Sequence, residues 1–209
     1  AQMRQSFYNL SVVSLTKIKN NRKFVYSDEQ LISEFQSGDE LAYIELVNRY
    51  RNRLLNFVFQ ILGDSDISED IIQDTFLRLY EKKHYYKKIG KFSTWIYTIA
   101  RNLANTELRK KIRRKTSVFS QISKHDYDYE LPSSQPEVSQ EFENEYVGKR
   151  IQKAINQLQD PFKEVIILRD MQNLSYDDIS LIIDVPIGTV KSRINRARLQ
   201  LQIELKDLK

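Results

Sequence analysis

"VPIGTVKSRINRARLQL", residues 185–201, is the stretch on which the reading of the fold turns. Val190, Ile194, Ala197 and Leu201 recur at helical spacing and form one apolar stripe. Thr189, Ser192, Asn195 and Arg196 lie opposite, flanked by Lys191 and Arg193. Pro186 opens this helix, because a fixed φ and a missing N–H suit a first turn. Immediately upstream, Ser175 caps a second short helix, "YDDISLII" (176–183), and Asp184 with Val185 makes a tight turn between the two. Two short helices joined by such a turn form a helix-turn-helix. The polar face is narrow enough for a major groove, and its cations suit phosphates. A membrane-surface helix needs a broad face of large apolar residues, and Ala197 is small. The partner expected from this stretch is DNA.

A second helix repeats the chemistry. "STWIYTIARNLANTELRKKIRR" (93–114) reads as a helix capped by Ser93, with Ile96, Ile99, Ala100 and Leu103 on one stripe. The opposite side presents Thr98, Arg101, Asn102, Asn105 and Arg109, with no acid among them. Amides, hydroxyls and guanidiniums suit base edges and phosphates. Glu107 falls on the apolar side, so its carboxylate has to reach solvent or a cation. Before this helix runs "KKHYYKKIGKF" (82–92), a loop dense in cations and tyrosines.

Further upstream the pattern is helical throughout. Ser27 with Gln30 is a capping box, and Gly38 is a stop. Leu41, Ile44, Leu46, Val47, Leu54, Leu55 and Val58 follow a helical period that ends at Gly63. A third helix starts at Asp66 with Glu69 as capping partner and repeats Ile72, Thr75, Phe76 and Leu79 on one face. Its other face carries Asp70, Gln73, Asp74 and Glu81. In the C-terminal part Asp160 and Pro161 make a further helix start, with Pro at the first position.

Charge divides the chain into blocks. Residues 28–77 hold three cations against eleven acids, whereas 78–115 hold thirteen cations against two. Residues 116–147 hold one cation and seven acids, with two of the four prolines, and read as a flexible acidic linker. The expected organisation is therefore a basic extension over 1–26 without clear order, a module over 27–113, a linker over 114–141, and a module over 142–209. With five Gly and four Pro in 209 residues, short connections between helices are expected. The fold class is all-α: two small helical modules joined by a flexible acidic linker. No apolar run nears the roughly 18 residues of a spanning helix, so no membrane insertion is expected. No h-region marks a signal peptide. Absence of Cys fits a reducing, cytoplasmic setting.

At this point the residues resemble a family. "LSYDDISLIIDVPIGTVKSRINRARLQL" looks like region four of sigma-70 family RNA polymerase sigma factors. "DIIQDTFLRLYEK" resembles the segment of region two that binds core polymerase, and "FSTWIYTIARNLANTELRK" resembles the segment that melts and reads the promoter. Two modules without a large domain between them are similar to the extracytoplasmic-function (ECF) group. The resemblance spans about residues 28–113 and 142–207. It implies that Asp70, Gln73 and Asp74 dock on the clamp coiled coil of core polymerase, with the flap as a second contact. It implies that the loop from Lys83 to Phe92, with the face bearing Asn102 and Asn105, captures an unstacked base of the minus-ten element in the melted strand. It implies that Lys191, Ser192, Asn195 and Arg196 read the duplex minus-thirty-five element, that the acidic linker threads toward the active-site cleft, and that an anti-sigma factor is a partner.

Three positions depart from the family. Asp184 stands where Gly is usual, Ser180 where Ala is common, and Trp95 is followed by Ile96, so paired tryptophans are absent. Asp tolerates left-handed backbone better than most residues, so the turn is expected to survive. Trp95 borders the apolar stripe and is expected in the core. No Gly-rich phosphate loop, His/Cys ligand set or nucleophile signature occurs, so neither a cofactor, a metal nor an enzyme activity is expected. Asp177 and Asp178 sit in a first helical turn, where the helix dipole favours acids. The alternatives are a conventional helix-turn-helix regulator that acts without polymerase, and a protein-binding helical adaptor. Binding to core polymerase separates the first; DNA binding at low salt separates the second.

Overall fold

The computed structural model describes residues 26–119 and 140–208, with side chains described over 26–114 and 146–207. Most of the extension and linker expected at 1–26 and 114–141 therefore lies outside the described residues. Eight α-helices make up the described chain, and no strand occurs among those residues. The all-α expectation holds.

Four helices build the first module: α1 (Asp28–Gln36), α2 (Glu40–Leu62), α3 (Ser65–Lys82) and α4 (Phe92–Phe119). Ser27 makes the expected capping box with Gln30, its hydroxyl accepting from the Gln30 N–H at 3.2 Å. Such a cap contributes about 1 kcal/mol. Gly63 ends α2 in left-handed backbone at φ 65°, as the sequence predicts. α3 begins earlier than expected. Asp64 rather than Asp66 is its cap, accepting from the Ile67 N–H at 3.1 Å, because the chain is already extended at Asp64 directly after the glycine. Nor does Ser93 cap α4: the helix starts at Phe92, whose N–H donates to the Glu29 carboxylate of α1 at 3.2 Å.

The core of this module is aromatic. Tyr50 packs edge-on against Phe92 and Tyr97, and Phe57 against Tyr97, all four rings being almost fully buried. Leu46, Leu54, Ile72, Phe76 and Leu79 fill the space between α2 and α3. Leu41, expected on the buried stripe, is instead exposed. On α4 the buried stripe is Ile96, Tyr97, Ala100 and Ala104, with Ile99 and Leu103 only half-buried. The stripe is thus turned toward Tyr97, which the aromatic core of α2 draws inward. Trp95 is half-buried against Tyr86 and Phe92, in line with a packing role.

The second module comprises α5 (Gln140–Gln157), α6 (Asp160–Ile166), α7 (Tyr176–Ile183) and α8 (Ile187–Glu204). Gln159 caps α6, so Pro161 takes its second position rather than its first. A wider π turn, Ile167–Met171, follows α6 and carries the buried Ile167 and Leu168. Ser175 caps α7 as expected, and Asp184 takes the left-handed turn at φ 54° without glycine. Val190, Ile194 and Ala197 of α8 are buried and Leu201 half-buried, as the helical spacing requires.

Candidate nucleic-acid interface

The face of α8 opposite that stripe is open. Lys191, Ser192, Asn195 and Arg196 are exposed, and Thr189 and Arg193 are half-buried at its edges. Ser192 donates to the Thr189 carbonyl at 3.0 Å, which pins its hydroxyl at the helix surface. Lys191, Arg193 and Arg196 form no ion pair among the described residues. Arg198, one turn further along, is different: Asp170 takes its guanidinium at 2.6 Å and 3.2 Å. The pair ties α8 to the π turn and so removes Arg198 from the open set. Six sequence-predicted residues therefore share one surface.

The cation-rich loop between α3 and α4 is built rather than loose. Gln36 donates from its amide to the carbonyls of Lys83 and Tyr86, at 2.6 Å and 3.1 Å. Tyr86 is buried and donates to the Gly90 carbonyl at 2.7 Å. These bonds close the loop and push its tip outward. Tyr85 there is 77% exposed and Ile89 91% exposed, with the exposed Lys87 and Lys88 between them. An exposed ring and an exposed aliphatic chain amid cations form a stacking platform for unpaired bases. Sequence reasoning treated the loop as a unit and did not single out Tyr85 and Ile89. Two apolar residues in an otherwise cationic loop were the available signal.

The polar stripe of α4 is not open. Thr98 donates to the Thr94 carbonyl at 2.8 Å. Arg101, expected to stand free beside Asn102, Asn105 and Arg109, forms a two-point pair with Glu164 of α6, Nε to Oε1 at 2.6 Å and Nη2 to Oε2 at 3.3 Å. Only 19% of the Arg101 side chain and 15% of the Glu164 side chain reach solvent. Asn102 and Arg109 are exposed, and Asn105 is half-buried. The expected face is thus split: Arg101 is engaged by the second module, and Asn102 and Arg109 look outward. Glu107 does reach a cation, Lys110, at 2.9 Å.

A second engagement lies one helical repeat earlier. Asp178 is buried, although it appears in the sequence as one of two first-turn acids. Its carboxylate accepts from Lys91 Nζ at 2.8 Å, Thr94 Oγ1 at 3.1 Å and its own cap Ser175 Oγ at 2.5 Å. Burial pushes this carboxyl group up, but the bonds from Lys91, Ser175 and Thr94, with the Lys91 charge, outweigh it and hold it below the usual carboxylate range. Nearby, Tyr97 donates to the Gln172 side chain at 2.6 Å, and Arg53 donates to the Gln172 carbonyl at 3.0 Å. Burial pushes the Tyr97 hydroxyl up to about 12, so it stays a donor at neutral pH. Asp178, Glu164 and Gln172 had no signal in local periodicity, because each partner lies on the other module.

The acidic side of α3 carries Asp70, Gln73 and Asp74. Asp70 and Gln73 are exposed and Asp74 is half-buried, one turn from the buried Ile71, Ile72 and Thr75.

Comparison with known proteins matches both modules in order. Residues 46–114 match the Sigma-70 region 2 family, and residues 148–201 match Sigma-70, region 4. The ECF RNA polymerase sigma-E factor of Haemophilus influenzae is 31% identical over 186 residues, covering 87% of this chain and 97% of that protein. The ECF RNA polymerase sigma factor SigW of Bacillus subtilis is 34% identical over 188 residues, covering 85% of this chain and 96% of that protein. Among solved structures, the sigma factor RpoE of Bartonella quintana, in complex with the anti-sigma factor NepR, superposes with a TM-score of 0.60 at 26% identity. It covers 78% of this chain and 95% of that one. CnrH, in complex with the cytosolic domain of CnrY, shares the fold with a TM-score of 0.62 at 18% identity, covering 86% of this chain and 97% of that one. A helix-turn-helix alone is common to many regulators; regions two and four together, in sequence order, are not. The chain belongs to the sigma-70 family of RNA polymerase sigma factors, in its ECF group.

Proposed function

We infer that the chain is an alternative sigma factor, a non-enzymatic subunit that binds core RNA polymerase in the cytoplasm and directs it to particular promoters. The observation that carries this reading is the pairing of two polar, cation-bearing surfaces on two modules: the α8 face with Lys191, Ser192, Asn195 and Arg196, and the α3–α4 loop with the stripe of α4. A conventional regulator needs only the first.

The roles divide by chemistry. On α8, Ser192, Asn195 and Arg196 point to base edges of the duplex minus-thirty-five element, with Thr189 at the rim, while Lys191 and Arg193 hold phosphates. In the first module, over residues 27–113, the loop tip and Thr98, Asn102 and Asn105 take an unpaired minus-ten base, with Arg101 and Arg109 on the backbone. Asp70, Gln73 and Asp74 of α3 face the clamp coiled coil of the polymerase, and the second module, over 142–209, reaches its flap. An anti-sigma factor is a further partner; the two solved relatives bound to such regulators or to a second protein support that reading.

The test is transcription in vitro with purified core polymerase on the region upstream of the gene itself. Specific transcripts that require the chain are expected. A chain that binds that DNA but neither binds core polymerase nor yields transcripts would be a conventional regulator.

A further inference from the structure

We propose that α1 braces the cation-rich loop between α3 and α4, and that Gln36 and Glu29 are positioning residues that hold this loop in shape for one minus-ten base. The proposal rests on the reading of that loop as the minus-ten reader and deepens it, by naming what keeps the reader selective.

Both ends of the loop are tied to one face of α1. Gln36, the last residue of that helix, gives its amide nitrogen to the loop's first end, on the carbonyls of Lys83 and Tyr86 at 2.6 Å and 3.1 Å. Its two N–H groups match two acceptors. Glu29, in the first turn of α1, takes the other end and accepts from the Phe92 N–H at 3.2 Å. Glu29 and Gln36 are seven positions apart, so they stand on one face of the helix, separated by about 10 Å along its axis. Between them Ile32 and Phe35 have no access to water, so α1 cannot roll without unpacking both. The Lys83 ammonium lies over the Phe35 ring, 4.1 Å from its centre, and adds a third hold on the same end. Within the loop, the Tyr86 N–H donates to the Lys83 carbonyl at 3.2 Å. Held at both ends, the chain between bulges outward, and the bulge carries Tyr85 and Ile89.

The brace acts on backbone, which leaves the side chains at the tip to the base. Gln36 and Glu29 are half-buried, and each spends its polar group on a main-chain atom of the loop or its end. A loop ordered before the base arrives pays no ordering entropy at capture. Nor can it re-form around a wrong base, whereas a loose loop adapts to several. Loss of the brace should therefore cost the preferred base more than the others. Closed binding should be kept, because the upstream contacts lie on α8. Local sequence gives no sign of the brace, since its partners are 47, 50 and 63 positions away. The competing view is that Gln36 and Glu29 only stabilise the first module; stability would then fall with base selection intact.

The single tryptophan gives a readout in the full, free chain. Trp95 packs against Tyr86 with ring centres 5.5 Å apart and against Phe92 at 6.2 Å, so a loop that loosens uncovers it. Gln36→Met keeps side-chain length and removes the donors. Glu29→Ala removes the acceptor, and Glu29→Gln keeps it. Gln36→Met and Glu29→Ala should raise quenching of Trp95 by acrylamide at unchanged helicity by circular dichroism, while Glu29→Gln should match the parent. Each protein is then combined with core polymerase on the region upstream of the gene itself, with all four bases placed in turn at each minus-ten position, and melting is read by permanganate reactivity. In Gln36→Met the ratio of melting on the preferred base to melting on the others should fall about tenfold, the scale of two neutral hydrogen bonds. Glu29→Ala should lose selectivity likewise, and Glu29→Gln should restore it. Parental quenching in Gln36→Met and Glu29→Ala would overturn the brace. Raised quenching with parental base selectivity would overturn the positioning role, and so would a parent that melts without preference at every minus-ten position. If the parent gives no transcript that depends on core polymerase, the sigma reading fails, while the quenching comparison still upholds or overturns the brace.

Discussion

Asp178 has almost no access to water, and a carboxylate there must be fully hydrogen-bonded or else protonated. Three donors satisfy it, and its proton affinity falls as a result. A depressed folded-state pKa contributes stability that is present above the unfolded value, about 3.9, and is lost as pH falls through the folded value. The melting temperature of Asp178→Asn should therefore lie below that of the parent by a constant margin from neutral pH down to about 4. Below that the margin should shrink. A margin that persists into strong acid would mean that packing, not the charge, is what the variant removes. On α8 the residues separate by what they would touch. Loss of Arg196 should cost about 1–3 kcal/mol and relax preference at one or two base pairs, if its guanidinium makes a bidentate base contact. Loss of Lys191 should weaken all upstream elements alike and lower the salt slope by about one. Promoter selection by both alanine variants over a library of upstream elements reads the difference; equal, sequence-blind losses would return Arg196 to the phosphates.

Helix by helix, the caps show what local sequence can and cannot say. The Ser27 box, the Gly63 stop, the Ser175 cap and the Asp184 turn all follow from residues within four positions of one another, and all are present. The start of α4 is different, because the partner of the Phe92 N–H is Glu29 on another helix. The turn of the α4 stripe toward Tyr97 likewise depends on Tyr50 and Phe57 of α2, which periodicity on α4 alone does not register. The π turn after α6 was hidden in the apolar run 165–168, which reads equally as continuous helix. The acidic face of α3 was legible, since it lies opposite the buried Ile72 and Leu79. Its role is best tested at Asp70, which is exposed, rather than at Asp74, which is half-buried. Asp70→Lys should weaken binding to core polymerase at least tenfold, about 1.4 kcal/mol, with helicity intact. Unchanged affinity would take this face out of the interface. On α4, Asn105→Ala should reduce promoter melting, read by permanganate reactivity, more than it reduces initial closed binding.

For the whole molecule, the sequence pointed to two independent units, and the residues that join them were the least legible part. Lys91 and Asp178 are 87 positions apart, and no local pattern couples them. Joined as they are, the two modules should not unfold independently. Their buried apolar residues form one contiguous cluster, and polar contacts pin the seam beside it. A domain whose neighbour stabilises it borrows part of its unfolding free energy from the contact, and the two then melt together. Calorimetry of the parent chain should show one cooperative transition at low salt. Glu164→Gln combined with Asp178→Asn should split it into two, the less stable module melting several degrees earlier. A shift of about 4–8 °C per kcal/mol applies to a module of 60–100 residues, so loss of one ion pair is measurable. α6 contributes Glu164, and Gln172, directly after the π turn, contributes the backbone held by Arg53, so the second module is the one expected to melt first. Salt should act in the same direction in the parent, through the Lys91–Asp178 pair, and much less in the double variant, which has no ion pair left to screen at either end. If the double variant keeps a single transition at the parental temperature, the apolar cluster alone couples the modules, and the acids at the seam serve only to satisfy buried donors.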